Sequence, residues 1–250
     1  MNRAVLATLG AAAAYGFGVL ALLNAVMLGN AWAGYAFHHP DFLRDTWPTF
    51  SRALSGGNAV LNMWLAGIAG AGLFAGSLAL AAMQWQRAQQ WQRARGLLAA
   101  MGVLAAGAAV LGVVHYFHVS VTLEINNRLH MLLSYTFFFG MSGMIIADLF
   151  CHLALARLPA QEAPARLSRA HLATGVGVLV DGTVFLLSYV LKDVEANPWN
   201  LATQRVFVVS EYAWVVLAHA YALFYLPVVR GHFRALGEPA RDAALIRLRT

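Results

Sequence analysis

The sequence predicts an all-α, polytopic integral membrane protein: a bundle of six transmembrane helices with both termini in the cytoplasm. Three observations lead there. Six long apolar segments fill most of the 250 residues. The chain is 60% hydrophobic and 11% charged, whereas about a quarter of a typical soluble domain is charged. The arginines also fall mainly into alternate connections. A helix needs about twenty successive apolar residues to cross a hydrocarbon core. With no water there to satisfy backbone polar groups, each span must be helical.

The first span, Ala4–Phe37, runs about thirty residues, longer than the apolar region of a cleavable signal, and reads as helix one. Helix two covers Asn58–Met83 and carries Gly72 and Gly76 one turn apart; Gly29 and Ala33 repeat that spacing in helix one. Such small residues let backbones approach closely, within one bundle or across a homo-oligomer. Gln84-Trp85-Gln86-Arg87-Ala88 is then echoed by Gln90-Trp91-Gln92-Arg93-Ala94, and indoles beside arginines suit the headgroup zone. Helix three is Gly96–His115, helix four Leu129–Ala156, helix five Ala170–Leu191 and helix six Thr203–Val229. Prolines punctuate the spans: six fall in loops or the tail, and Pro227 sits near the inner end of helix six. Residues 1–229 therefore form the transmembrane domain and 230–250 a basic tail. In that tail Leu236, Ala240, Ala244 and Leu248 recur at helical spacing, as in a surface-lying amphipathic helix or a scaffold for a membrane complex.

The formal charge is +6, and its placement argues for a membrane address and against nucleic acid. Twelve arginines fall in the N-terminus, the second and fourth loops and the tail, against five cations on the other side (Arg44, Arg52, Arg128, Lys192 and Arg205). That bias puts the arginine-rich face in the cytoplasm. Arginine and alanine usage suggests a bacterial inner membrane. No P-loop or dinucleotide-binding glycine pattern is present. A single cysteine, Cys151, excludes an intrachain disulfide framework.

Ionisable groups at membrane depth are costly and turn into the bundle or a wet cavity. Asp148 and His152 lie four residues apart on helix four, Asp181 is near the middle of helix five, and Glu211 and His219 share a face of helix six. At about 1.5 Å per residue, Asp148, Asp181 and His219 come out at similar depth. Glu211 is placed nearer the outer surface, within reach of Arg128 or Arg205. These groups are expected to converge in one polar pocket, with Asn24, Asn62, Tyr15, Tyr135, Tyr189, Tyr212 and Tyr221 available as neutral partners.

A second cluster belongs to the outer face: His38 and His39 in the first loop, His115 and His118 at the end of helix three, then Glu124, with Arg128 and His130 opening helix four. Imidazoles and carboxylates at one interface are the ligand types of zinc or copper. The spacing lacks a metalloprotease signature, and solvated interface histidines account for it more simply than a metal site. No cofactor is expected.

Three patches carry a family resemblance. The first outer loop reads Pro48-Thr49-Phe50-Ser51-Arg52-Ala53-Leu54-Ser55-Gly56-Gly57. His130 precedes an aromatic run ending Gly140-Met141, and helix six carries Arg205, Glu211-Tyr212, Val215-Val216-Leu217 and His219. Over roughly residues 40 to 230 the chain resembles the Frag/DRAM/Sfk family of six-helix membrane proteins, which includes GPI-anchor lipid-remodelling factors and damage-regulated autophagy modulators. The resemblance implies a role in membrane lipid composition or organisation, with Ser51, His130, Glu211 and His219 as the matching residues. The expected partners are membrane lipids, bound in a cavity opening to the outer leaflet. An arginine would take a phosphate there, and any catalysis would be acyl transfer or ester hydrolysis with a histidine as base.

Overall fold

A computed structural model describes residues 8, 18, 22, 25–26, 28–42, 44, 47–50, 52–53, 59–92, 95–121, 127–156, 169–194 and 198–237. Within these, some side chains, including those of residues 111–121 and 151–152, lie outside the description. All regular secondary structure among the described residues is helical. Helix α1 is described over residues 28–38. It is followed by α2 (Ala59–Gln90), α3 (Arg95–Val121), α4 (Asn127–Ala156), α5 (Arg169–Lys192) and α6 (Asn200–Gly237).

Four of these helices are long and apolar enough to cross a membrane, over Gly67–Gln89, Arg128–Phe150, Arg169–Lys192 and Asn200–Phe233. In α3 the described apolar stretch is shorter, Arg95–Gly107. Helix α5 shows what kind of solvent the bundle is built for. Its buried residues include His171, Gly175 and Ser188, while Val176, Val180, Val184, Leu187 and Val190 point outwards and are exposed. Val178 and Phe185 are buried beside those polar residues, but the apolar outer face is the reverse of a water-soluble helix, whose outer face is polar. Threonines on such outward faces would strand their hydroxyls, so Thr136, Thr174 and Thr183 each donate to a carbonyl four residues back, Leu132, Ala170 and Leu179.

Consecutive helices pack as neighbours, most extensively α2 on α3 and α5 on α6, and α2 also meets α6 to close the bundle. The α2–α3 approach is close because Gly102 has no side chain: a Cβ there would stand 2.7 Å from the Trp85 indole. One apolar core runs through Met83, Leu98, Met101, Ile145, Val178, Trp214, Tyr221, Tyr225 and Phe233. A smaller one gathers Phe185, Phe207 and Val208 beneath Trp47, Tyr189 and Tyr212.

The helices overrun the apolar segments that predict them. Helix α2 continues to Gln90 through the first Gln-Trp-Gln-Arg repeat, and α6 continues past Val229 to Gly237. An apolar criterion stops where hydrocarbon stops. The backbone hydrogen-bond ladder continues for another turn or two in the headgroup zone, where amphipathic side chains suit both sides.

Candidate functional site

The ionisable residues of the bundle fall into two layers, one at each end of α6. The first lies towards the arginine-rich face. Asp148 of α4 is 3% exposed and His171 of α5 is fully buried; His171 Nε2 is 3.1 Å from Asp148 Oδ2. The Tyr221 hydroxyl donates to the same oxygen, and the Tyr225 hydroxyl donates to Oδ1 at 2.8 Å. From α2, the buried Gln84 amide donates to Tyr225 Oη at 2.7 Å. Tyr225 has one hydroxyl hydrogen, and Asp148 takes it, so Gln84 must present its N–H₂ rather than its carbonyl.

Local spacing explains the convergence. Tyr221 and Tyr225 are four residues apart and share a face of α6, with Val229 and Phe233 continuing that buried stripe. Gly175 lies one turn beyond His171 on α5. A Cβ there would come 3.3 Å from the Tyr221 ring, so the glycine sets how closely that ring approaches. The His171 ring packs against both tyrosines, with centroids 4.3 and 4.8 Å away. Three donors on one carboxylate, with an imidazole among them, are what a buried aspartate requires.

The second layer is at the opposite end. Glu211, buried, accepts the backbone N–H of Phe50 at 2.9 Å. The neighbouring Tyr212 hydroxyl donates to the Pro48 carbonyl at 3.2 Å. About two turns earlier, the Arg205 guanidinium donates to the Arg44 carbonyl at 3.2 Å and sits 5.5 Å from the Trp47 ring. Three side chains of α6 thus fasten the first loop over the helix. Trp32 of α1 completes the cover, meeting Phe42 edge to face and Tyr212 at a tilt, with centroids 5.4 and 5.7 Å away. Asp181 belongs to this end as well, beside Ser210 of α6, with its Oδ2 buried and without a hydrogen-bond partner among the described residues. Beside them Lys192 lies 5.1 Å from the Tyr189 ring and 5.6 Å from Phe207.

The expectation of one convergent pocket is therefore corrected. Asp148 pairs with Tyr221, whereas Asp181 and Glu211 work at positions 210 and 211 of α6, ten residues or roughly 15 Å along the axis. Asp148 is satisfied by its three donors and Glu211 by the Phe50 amide, while Asp181 keeps a buried oxygen without a hydrogen-bond partner among the described residues. The expected pairing of Glu211 with an arginine also gives way, because its oxygen is turned to the Phe50 amide. His219 Nδ1 donates to the Val215 carbonyl of its own helix. His130 is buried near the start of α4, and Arg128 is exposed beside it.

The expected metal cluster stands partly outside the description. His38 and His39 are exposed, stacked on Phe37 and Tyr35 respectively. Tyr15, Asn24, Ser51, Glu124 and the side chains of Asn62, His115, His118 and His152 lie outside the described residues. Among the described residues, no three His, Cys, Asp or Glu side chains are grouped to hold a metal ion.

Sequence reasoning did not select His171, Tyr225 or Gln84. The signal available was azimuthal: Tyr221 and Tyr225 at i, i+4 opposite the span that carries Asp148. Comparisons of the chain with family models, curated proteins and solved structures find no match.

Proposed function

We propose that this is a six-span membrane protein of a bacterial inner membrane, arginine-rich face and both termini in the cytoplasm, that binds and organises membrane lipids at its outer end. The observation that carries the reading is the fastening of the first loop to α6 through Glu211 and Phe50, Tyr212 and Pro48, and Arg205 and Arg44. The two most specific patches of the family resemblance, the Pro-x-x-Ser loop and the Glu-Tyr pair, are the partners in that contact.

The chemistry of this end suits an amphiphile. Trp32, Tyr35, Trp47 and Tyr212 bring rings with polar edges to one level, and such rings favour the boundary between headgroups and acyl chains. Arg205 and Lys192 place cations at that level over aromatic faces; a guanidinium recognises a phosphodiester in bidentate fashion. Below them, exposed Val184, Leu187, Val206 and Val209 line the outside of α5 and α6 for an acyl chain. The arrangement supports holding a lipid with its headgroup beneath the loop.

Mass spectrometry of lipids retained after gentle extraction tests this. Wild type and Glu211→Gln, whose amide oxygen still accepts from Phe50, are expected to keep the same bound lipid, and Glu211→Ala to lose it. Identical lipid profiles in all three proteins, with the loop released in Glu211→Ala, would overturn the proposal.

A further inference from the structure

Arg87 lies in the last turn of α2, only 7% exposed. A guanidinium keeps its charge at any accessible pH, and burying it without a counter-charge is costly even after the protein relaxes around it. Yet none of the described carboxylates serves it. Asp148 already accepts from Tyr221, Tyr225 and His171, and Asp181 and Glu211 lie at the far end beside Ser210 and Phe50. The ion pairs among the described residues are His171 with Asp148 and Lys192 with Asp193.

His232 of α6 is within electrostatic reach of the guanidinium and donates through Nε2 to Gln86 Oε1 at 2.9 Å, tying α6 to α2 beside it. Trp85 is 48% exposed, and Trp91 packs against the core edge. The carbonyl end of α2 contributes partial negative charge, equivalent to about half an electron, which offsets the arginine in part. This is the end of the bundle that the Gln-Trp-Gln-Arg repeats occupy.

From these residues we infer that Arg87, with His232 and its partner Gln86 beside it, binds the phosphate of an anionic phospholipid in the leaflet on the arginine-rich face. The counter-charge comes from the membrane rather than from the chain. A guanidinium takes phosphate oxygens in pairs, and anionic headgroups concentrate basic groups at this face. The site is independent of the loop-covered end, and its test reads a different lipid dependence.

Full-length protein is reconstituted in vesicles of phosphatidylcholine alone and of phosphatidylcholine with phosphatidylglycerol. Thermal midpoint and retained phosphatidylglycerol are measured, with inorganic phosphate added to the first set as a control. Wild type is expected to melt higher with phosphatidylglycerol and to retain it. Arg87→Gln should lose both effects, and Arg87→Lys should keep part of each. A rise with inorganic phosphate alone would make this a free-anion site and overturn the lipid assignment. Glu162, Glu238 and Asp242 are the chain's carboxylates in the adjoining loop and tail. Loss of the phosphatidylglycerol effect in Glu162→Gln, Glu238→Gln or Asp242→Asn would instead identify an internal ion pair. Should Arg87→Gln fail to fold, Gln86→Ala with His232→Phe reads the same loss, and an unchanged lipid effect there overturns the assignment.

Discussion

Tyr225 stands between Asp148 and Gln84, giving its hydroxyl hydrogen to the first at 2.8 Å and accepting from the second at 2.7 Å. Through that single oxygen, α2 is joined to α4 by way of α6. The bond directions are fixed by chemistry, because a carboxylate can only accept and an amide N–H can only donate. Removing the oxygen therefore strands groups on both sides. Tyr225→Phe is expected to destabilise the protein by about 1–3 kcal/mol, read as a lowered thermal midpoint in detergent. Adding Gln84→Leu should recover part of the loss, since the stranded amide is removed with it. Equal and additive losses would show that the two residues do not share the bond.

The Asp148–His171 pair is expected to be strongly coupled. Breaking a buried pair by removing one partner typically costs about 3–5 kcal/mol. Asp148→Asn and His171→Gln should each approach that range, and the double variant should cost clearly less than their sum. Chemical denaturation of the four proteins supplies the cycle. Strict additivity would mean that the tyrosines alone satisfy Asp148.

Glycines set two helix separations, and the clearances rank them. A Cβ on Gly102 would stand 2.7 Å from the Trp85 indole, one on Gly175 3.3 Å from the Tyr221 ring, and one on Gly182 3.5 Å from Trp214. Gly182→Ala is expected to be tolerated. Gly102→Ala should displace the indole and cost about 1–3 kcal/mol through overpacking, with a change in tryptophan emission. Gly175→Ala should perturb the Tyr221 contact with Asp148 and so lose its effect in an Asp148→Asn background.

At the other end, the Glu211 carboxylate is the acceptor that fixes the Phe50 amide. Glu211→Ala should release the loop and raise amide hydrogen exchange over residues 47–53 by at least tenfold, which corresponds to about 1.4 kcal/mol. Glu211→Gln should leave exchange near the wild-type level. Matching exchange in wild type and Glu211→Ala would show that Tyr212 and Arg205 hold the loop unaided.

How much of this was legible depends on the kind of information. The four long apolar helices could be read because hydrocarbon thickness imposes a length, and length is visible along a chain. That Asp148, Asp181 and Glu211 turn inward could be read because the penalty for facing lipid is large. Their grouping could not. Depth along an axis says nothing of azimuth, and Asp148 and Asp181, alike in estimated depth, lie beside positions eleven residues apart on α6. His171 went unselected because it stands two residues from Arg169, where an imidazole looks interfacial. Gln84 was absorbed into a repeat that suited headgroups. The Glu211–Phe50 bond joins residues 161 positions apart, which periodicity cannot anticipate, although the family resemblance had marked both its patches.

The bond between Gln84 and Tyr225 spans 141 residues, nearly from the second helix to the last. During synthesis, Asp148 must enter the bilayer before either of its phenolic partners exists, with His171 arriving next and the tyrosines at the very end. Until α6 is added, the nascent chain holds Asp148 in the bilayer with His171 but without the two phenols, so the polar centre is completed only when the helix carrying Tyr221 and Tyr225 docks.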